Sequence, residues 1–244
     1  MVGCPSGQWE RTVNPPALPS VVQIHYPPQE LLKEVMKIQI SPPNSSSLSL
    51  GAAHLKRGGL VAFPTETVYG IGADAGDREA VDRLYSAKGR PNNHPVIVHI
   101  AEQQLVEYWA KEIPDYAGSL MKEFWPGPMT LILSRTHHAA DWITGGQDAV
   151  GLRIPSHPVA LKLINEFHKL GGSGVAAPSA NRFGGVSPTS AEAVVDELGD
   201  LLSFDDMVID GGDCEVGIES TIIDCTKEAP IVIRKGAILS LIHI

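Results

Sequence analysis

Short apolar runs of strand length alternate with helical segments between residues 48 and 238, and this alternation constrains the fold more than any other feature. It has no internal repeat and no clean boundary, so it predicts one α/β domain around an open sheet. The sheet should be mixed, because no helix separates the last three strands, which can then pair antiparallel. Helices are predicted at 48–57, 77–88, 105–109, 116–124, 158–167 and 191–198, and strands at 60–63, 95–100, 129–133, 150–154, 175–178, 208–209, 221–224 and 231–234.

Net charge, cysteine count and the length of apolar runs restrict the classes of function that the chain can have. The net charge of −9 and the pI of about 5.4 argue against a generic nucleic-acid binder, although a local basic groove is compatible with both. Three widely spaced cysteines are too few for a disulfide framework or a zinc site and fit reduced intracellular thiols. No apolar run approaches the roughly 18 residues that span a bilayer. We therefore expect a soluble, cytoplasmic protein that uses no membrane.

Both ends look foreign to this domain. Residues 1–47 are rich in proline and serine with little periodicity, and we expect a poorly ordered extension. Met36 is an alternative to Met1 as the true start. The last six residues, 239–244, read like a translated sequencing adapter, so we expect a non-native tail after a domain at 48–238. The natural chain would then continue beyond this tail, and a continuation into a second domain is one of the alternatives that the sequence leaves open.

A polar run follows the first predicted strand. Residues 64–72 read PTETVYGIG, with two threonines, Glu66 and a tyrosine before two glycines. Hydroxyl groups at a strand end, with glycines that open the backbone to a ligand, suit a small polar molecule. The same residue types are common in an ordinary turn, so the run alone leaves both interpretations open.

Other polar clusters stand at element ends and also allow two interpretations. Lys88 and Arg90 can complement a helix dipole or bind an anion. Arg153 lies inside an apolar strand, so either a protein carboxylate or a ligand anion must satisfy it. Ser179 and Asn181 can cap turns or contact ribose and phosphate. There is no GxxxxGK[ST] or GxGxxG loop, no GxSxG elbow, and no histidine spacing typical of metal sites.

In their order, eight blocks resemble the YrdC-like family of L-threonylcarbamoyladenylate synthases. The resemblance covers residues 48–238 and rests on PTETVYGIGADA, KGRP, WPGPMTLIL, VGLRIPSHP, APSANRFGGVSPT, DGG, GIESTIID and IVIRKGAI. It implies a YrdC-like α/β (α+β) fold: a twisted, open mixed sheet, flanked by helices, with a concave basic cavity. It also implies condensation of L-threonine, bicarbonate or CO₂, and ATP to threonylcarbamoyl-AMP and pyrophosphate, for tRNA threonylcarbamoyladenosine modification.

The resemblance also implies roles for individual residues. Arg153 is expected to pair with the threonine carboxylate in a bidentate geometry, and Lys88 and Arg90 to act on the phosphates as catalytic residues. Glu66 either takes a proton or orients its loop. The expected L-threonine contacts are Thr65, Arg153, Ser220 and His99, and the expected ATP contacts are Lys88, Arg90, Asn92, Thr130, Ser179, Asn181, Ser187 and Arg234. His99 and Thr130 are expected to line the same cavity.

The expected cofactor is Mg²⁺ carried with ATP, without a tightly bound protein metal. The expected partners are ATP, L-threonine, bicarbonate and the downstream tRNA threonylcarbamoyl transferase machinery, with tRNA as a further candidate. Two alternatives stay open: a carbamoyl-adenylate-forming enzyme on the same fold, which would be expected to carry zinc-binding CxxC modules, and a module that binds double-stranded RNA or tRNA. Synthesis predicts ATP consumption, whereas RNA binding predicts a salt-dependent complex.

Overall fold

A computed structural model describes residues 38, 40–203 and 205–238 of the 244-residue chain. The described residues form one ten-stranded sheet and seven α-helices. The strands are β1 (Ile40–Ser41), β2 (Val61–Pro64), β3 (Tyr69–Asp74), β4 (Ile97–His99), β5 (Met129–Ser134), β6 (Ala149–Arg153), β7 (Val175–Ala176), β8 (Met207–Ile209), β9 (Thr221–Asp224) and β10 (Ile231–Arg234). The helices are α1 (Ser45–Lys56), α2 (Arg78–Lys88), α3 (Val106–Trp109), α4 (Asp115–Phe124), α5 (Asp141–Thr144), α6 (Pro158–Lys169) and α7 (Ala191–Leu198).

The sheet is mixed, which confirms the predicted fold class. Its strand order is β1-β8-β2-β3-β7-β4-β6-β5-β9-β10. The pairs β1–β8, β8–β2, β4–β6 and β5–β9 are parallel, and the other pairs are antiparallel. The expected antiparallel pairing of the last three strands holds only for β9 and β10. Strand β8 instead lies between β1 and β2, because the chain crosses back to the other side of the sheet.

Helix α2 illustrates how local sequence fixes an element beside the cavity described below. Asp77 caps its N-terminus by accepting a hydrogen bond from the backbone N–H of Glu79 at 2.9 Å. Gly89 ends the helix at φ 61°, a left-handed conformation that glycine adopts without steric cost. The chain turns there, with the N–H of Arg90 donating to the carbonyl of Tyr85 at 2.9 Å. Lys88 and Arg90 thus flank a sharp turn.

Apolar side chains bury both faces of the sheet. Helices α1 and α6 cover one face, and the second cluster of buried residues joins them to β2 and β8 through Leu55, Phe63, Phe167 and Ile209. The larger cluster, which includes Leu84 of α2 and Leu131 of β5, fills the other face. Helices on both faces leave ligand sites at the strand ends and the loops that follow them.

Two sequence predictions of local structure need correction. The polar run at 64–72, for which the sequence left a ligand wall and an ordinary turn open, contains a strand that was not predicted: residues 69–72 belong to β3, which pairs antiparallel with β2 and is buried throughout. Packing demands glycine at position 72, since a Cβ on Gly72 would lie 2.6 Å from Val175. The expected extension 1–47 also ends too late, because β1 pairs with β8 and α1 already begins at Ser45.

The remaining predictions about the ends lie outside the described residues. These are the extension up to residue 37, the alternative start at Met36 and the tail 239–244. Within the part of the chain that the structure describes, no helix is long and apolar enough to cross a membrane.

Candidate functional site

A cavity of about 220 Å³ opens where several strand ends meet. The segment 65–70 between and within β2 and β3 forms one wall, and residues 95–97 at the start of β4 form another. Residues from β6, the segment after β7, and the region 219–222 complete it. The lining residues are Thr65, Thr67, Val68, Gly70, Arg90, Pro95, Val96, Ile97, Ile132, Gly151, Arg153, Ala177, Pro178, Ser179, Glu219, Ser220, Ile222 and Arg234.

The cavity concentrates positive charge on an acidic protein. Arg90, Arg153 and Arg234 line it, and Glu219 is the acidic side chain among its described lining residues. The whole chain carries −9, so these cations are gathered locally rather than supplied by overall composition. The expected concave basic cavity is confirmed.

Arg153 is paired with a protein carboxylate. Its Nη2 donates to Oε1 of Glu66 at 2.6 Å and to Oγ1 of Thr67 at 3.1 Å, and its Nε donates to the carbonyl of Gly127 at 3.3 Å. This answers the question that the sequence left open about its partner. Nε and Nη2 are thus engaged within the protein, and Nη1 makes no hydrogen bond within the described residues; the expected bidentate pairing with threonine stays a prediction.

The Thr65 hydroxyl is committed to its own loop. It donates to the carbonyl of Val68 at 2.7 Å and accepts from the backbone N–H groups of Thr67 and Val68, each at 3.2 Å. Thr65 Oγ1 also lies 2.9 Å from Oγ1 of Thr67. Thr65 lines the cavity, but its hydroxyl builds the wall, so its contact with threonine stays a prediction.

The opposite wall is a chain of polar contacts around Ser220. Nη2 of Arg234 donates to Oγ of Ser220 at 3.0 Å, and Oγ1 of Thr130 lies 2.9 Å from the same oxygen. Glu219 accepts from Ser187 Oγ at 2.7 Å and pairs with Arg234 at 3.4 Å. Ser220 and Arg234 line the cavity, Ser187 supports Glu219, and Thr130 lies behind Ser220 rather than lining the cavity as expected.

Lys88 lies behind the wall that carries Ser179. It is 3% exposed, and its Nζ donates to the carbonyl of Ser179 at 2.5 Å and to the carbonyl of Asn181. Burial, aided by the positive charge of Arg90, lowers the pKa of Lys88 to about 8. Ser179 lines the cavity with a hydroxyl that makes no hydrogen bond within the described residues, whereas the Asn181 side chain donates to the carbonyls of Arg182 and Gly185.

His99 is buried away from the cavity, which corrects the expectation that it lines it. It packs edge-on against Phe63 with ring centroids 6.5 Å apart, and neither ring nitrogen has a hydrogen-bond partner within the described residues. Burial and the nearby charge of Arg153 hold the pKa of His99 well below its usual value. Its proposed contact with threonine stays a prediction.

The buried His99 predicts an acid sensitivity. The unfolded chain takes up a proton at this histidine below about pH 6.5, whereas the folded chain resists protonation. Stability should therefore fall with decreasing pH below 6.5, with a slope from this group of up to about 1.4 kcal/mol per pH unit. Urea unfolding of wild type and His99→Phe between pH 7 and pH 5 should give the variant the shallower dependence. Parallel curves would contradict this account.

Two residues of the site were missed by sequence reasoning, and Asn92 joins the predicted residues that do not line the cavity. Thr67 and Glu219 line the cavity and stand inside the motifs PTETVYG and GIESTIID, which were the available signal. Asn92 is exposed in the turn after α2 and does not line the cavity. Within the described residues, no group of three or more His, Cys, Asp or Glu side chains could hold a metal ion.

The sequence of this chain matches a family model and several known proteins. Residues 53–236 match the Sua5/YciO/YrdC family model, which carries the description "Telomere recombination". The threonylcarbamoyl-AMP synthase of Pyrococcus abyssi is 47% identical over 78% of this chain and 54% of its own length. The Bacillus subtilis enzyme of the same name is 43% identical over 80% of this chain and 55% of its own length.

A solved structure agrees with the sequence matches. P. abyssi Sua5 complexed with L-threonine has a TM-score of 0.76 and 44% identity, covering 81% of this chain and 57% of that one. The chain thus spans about half the length of the relatives it matches. The family model and the high identity over most of the chain are decisive for its ancestry: the chain belongs to the Sua5/YciO/YrdC family.

Proposed function

We propose that this chain is an L-threonylcarbamoyladenylate synthase, a nucleotidyltransferase that makes threonylcarbamoyl-AMP from L-threonine, bicarbonate or CO₂, and ATP. The observation that carries the proposal is the cavity itself, in which three arginines converge on a wall of hydroxyl groups. Each substrate except CO₂ carries negative charge, which such a cavity suits. The threonylcarbamoyl-AMP synthases at 43% and 47% identity support the same reaction.

The proposed chemistry has two steps. The threonine amine attacks the carbon of bicarbonate or CO₂ and forms a carbamate, with loss of water or of a proton respectively. A carbamate oxygen then attacks the α-phosphorus of ATP, and the bond from that phosphorus to the bridging oxygen breaks to release pyrophosphate. Among the described residues, the cavity lining offers no evident nucleophile, so positioning and charge stabilisation carry the rate.

In this proposal, different walls of the cavity bind different parts of the substrates. Arg153 and the hydroxyl groups around Ser220 bind the amino acid, and Arg90 and Arg234 bind the phosphates. Ser179 offers the nucleotide a hydroxyl that makes no hydrogen bond within the described part of the chain. Glu219, already bonded to Ser187 and Arg234, is the carboxylate on the wall, so the residues present fit Mg²⁺ that arrives on the triphosphate better than a protein-held ion. Bound to ATP, Mg²⁺ would neutralise phosphate charge.

The proposal also covers the reaction that follows, the location of the protein and its contact with tRNA. The product is a reactive mixed anhydride, so a transferase that passes the threonylcarbamoyl group to tRNA must act next. A cytoplasmic location and a direct contact with tRNA are expectations of the family resemblance. The cavity lining supports a small anionic substrate more than a nucleic acid, because its cations are recessed among strand ends.

Pyrophosphate release is the direct test. Purified protein is incubated with ATP, Mg²⁺ and bicarbonate, together with L-threonine, L-serine or no amino acid. We expect release to be at least about tenfold faster with threonine than without an amino acid, because the carbamate nucleophile forms only from a bound amine. Threonylcarbamoyl-AMP should be detectable by mass spectrometry.

Two outcomes would contradict the proposal. Equal release in all three mixtures would show hydrolysis of ATP that does not depend on the amino acid. Salt-dependent tRNA binding without any pyrophosphate release would instead favour an RNA-binding module.

A further inference from the structure

Arg153 is held on three sides and left open on one. Its Nε and Nη2 donate to Gly127, Glu66 and Thr67, and its side chain is only 5% exposed. Nη1 makes no hydrogen bond within the described residues, yet it is not among the fully buried unpartnered atoms. Because Arg153 lines the cavity, Nη1 is the nitrogen that it can offer to a ligand.

Glu66 is fixed as firmly as the arginine it holds. Its Oε1 accepts from Arg153 at 2.6 Å and its Oε2 accepts from the backbone N–H of Ser156 at 3.0 Å. The backbone carbonyl of Glu66 also accepts from the N–H of Val216 at 3.1 Å. With both carboxylate oxygens engaged and its side chain 9% exposed, Glu66 is poorly placed to collect a proton from a substrate.

Glu66 and Arg153 therefore act together as one structural unit. A guanidinium in a buried site can rotate about its long side chain unless fixed partners hold its plane. A charge-assisted hydrogen bond at 2.6 Å is a strong restraint of this kind. It fixes which edge of the guanidinium faces the cavity, and it leaves a single nitrogen for an end-on contact instead of a two-pronged one.

We propose that Glu66 is a positioning residue, which fixes the Arg153 guanidinium so that Nη1 meets the carboxylate of the amino-acid substrate. The inference rests on the proposed function, since it takes that substrate to be an amino acid. It assigns no proton transfer to Glu66. The residue acts only through Arg153, and its removal should weaken amino-acid binding while leaving the phosphate side of the cavity unchanged.

Glu66→Gln is the decisive variant, because glutamine keeps the shape and loses the charge. We expect the KM for L-threonine to rise by about tenfold, as befits loss of a charge-assisted restraint, with kcat and the KM for ATP within about twofold of wild type. Glu66→Asp keeps the charge on a shorter side chain and should fall between the two. An unchanged threonine KM in Glu66→Gln would overturn the inference.

A half-buried ion pair outside the cavity supplies the control. Asp206 pairs with Arg83 at 2.5 Å, its side chain is fully buried, and neither residue lines the cavity. Asp206→Asn should lower the thermal midpoint while leaving the threonine KM at the wild-type value. A rise of the threonine KM in this variant as large as in Glu66→Gln would reduce the effect of Glu66 to general destabilisation, and would overturn the inference.

Crystal structures separate this inference from the proposed function. If wild type releases no threonine-dependent pyrophosphate, the proposed function fails, and the geometry of Arg153 then decides the role of Glu66. We expect the guanidinium in Glu66→Gln to move by more than roughly 0.5 Å, the tolerance of a preorganised site. A guanidinium that stays in place in the variant would overturn the positioning role whatever the enzyme does.

Discussion

Replacing Arg153 by alanine should lower the free energy of unfolding by about 3–5 kcal/mol and abolish threonine-dependent pyrophosphate release. The substitution leaves Glu66 as a buried carboxylate without its cation, and that is a costly state for a charge. It also removes the cation that faces the amino acid in the proposed reaction. Urea unfolding and a pyrophosphate assay with saturating ATP measure the two effects separately.

A double variant distinguishes lost charge from lost shape. Arg153→Met with Glu66→Gln removes both charges and keeps most of the volume, so it should recover part of the lost stability but none of the activity. Arg83→Ala disrupts the Arg83–Asp206 pair, which lies outside the cavity. This variant should lower the free energy of unfolding but keep the wild-type KM for threonine. Near-normal turnover by Arg153→Ala would contradict the role of Arg153 in binding the amino acid.

Most of the alternating elements were predictable because the signals of a strand or helix lie within about ten residues of sequence. Helix α2 is an example, with a capping aspartate at one end and a glycine stop at the other. Strand β3 escaped this kind of reasoning. Its glycines, Gly70 and Gly72, are typical of turns in isolation, and only the close approach of Val175 and Phe63 explains why β3 needs Gly72.

Sheet order was harder to predict than element type. Strand β8 follows α7 in the chain and precedes β9, yet it pairs with β1 and β2 at the other end of the sheet. No property of the three residues Met207–Ile209 specifies those partners. Such pairing depends on which apolar faces the helices bury, and this is decided by the whole fold.

The site shows the same division between local and distant information. The motifs identified Arg153 and the run containing Glu66, but the two residues are 87 positions apart and nothing in either motif pairs them. Their contact depends on the parallel pairing of β4 with β6 and on the placement of the loop before β3. Likewise, the sequence predicted Lys88 as a phosphate contact, and only the fold reveals that its Nζ is occupied by backbone carbonyls.

Lys88→Met should reduce kcat/KM for ATP by at least about 100-fold, since it cuts the bond between helix α2 and the cavity wall. Nζ of Lys88 donates to the carbonyls of Ser179 and Asn181, and Ser179 is the residue on that wall. Stability should change by less than about 2 kcal/mol, because loss of these two hydrogen bonds is offset by removal of a poorly solvated charge. Steady-state kinetics with varied ATP and urea unfolding measure both quantities.

The split between kinetic parameters tells how Lys88 acts. A residue that only anchors Ser179 should raise the KM for ATP, whereas one that also reaches the triphosphate should lower kcat as well. Lys56→Met is a control for the loss of a lysine charge, because Lys56 is an exposed lysine paired with Asp74 outside the cavity, and its loss should leave both parameters unchanged. Near-normal activity of Lys88→Met, with a free energy of unfolding close to that of wild type, would contradict both roles of Lys88: the anchoring of Ser179 and the phosphate contact.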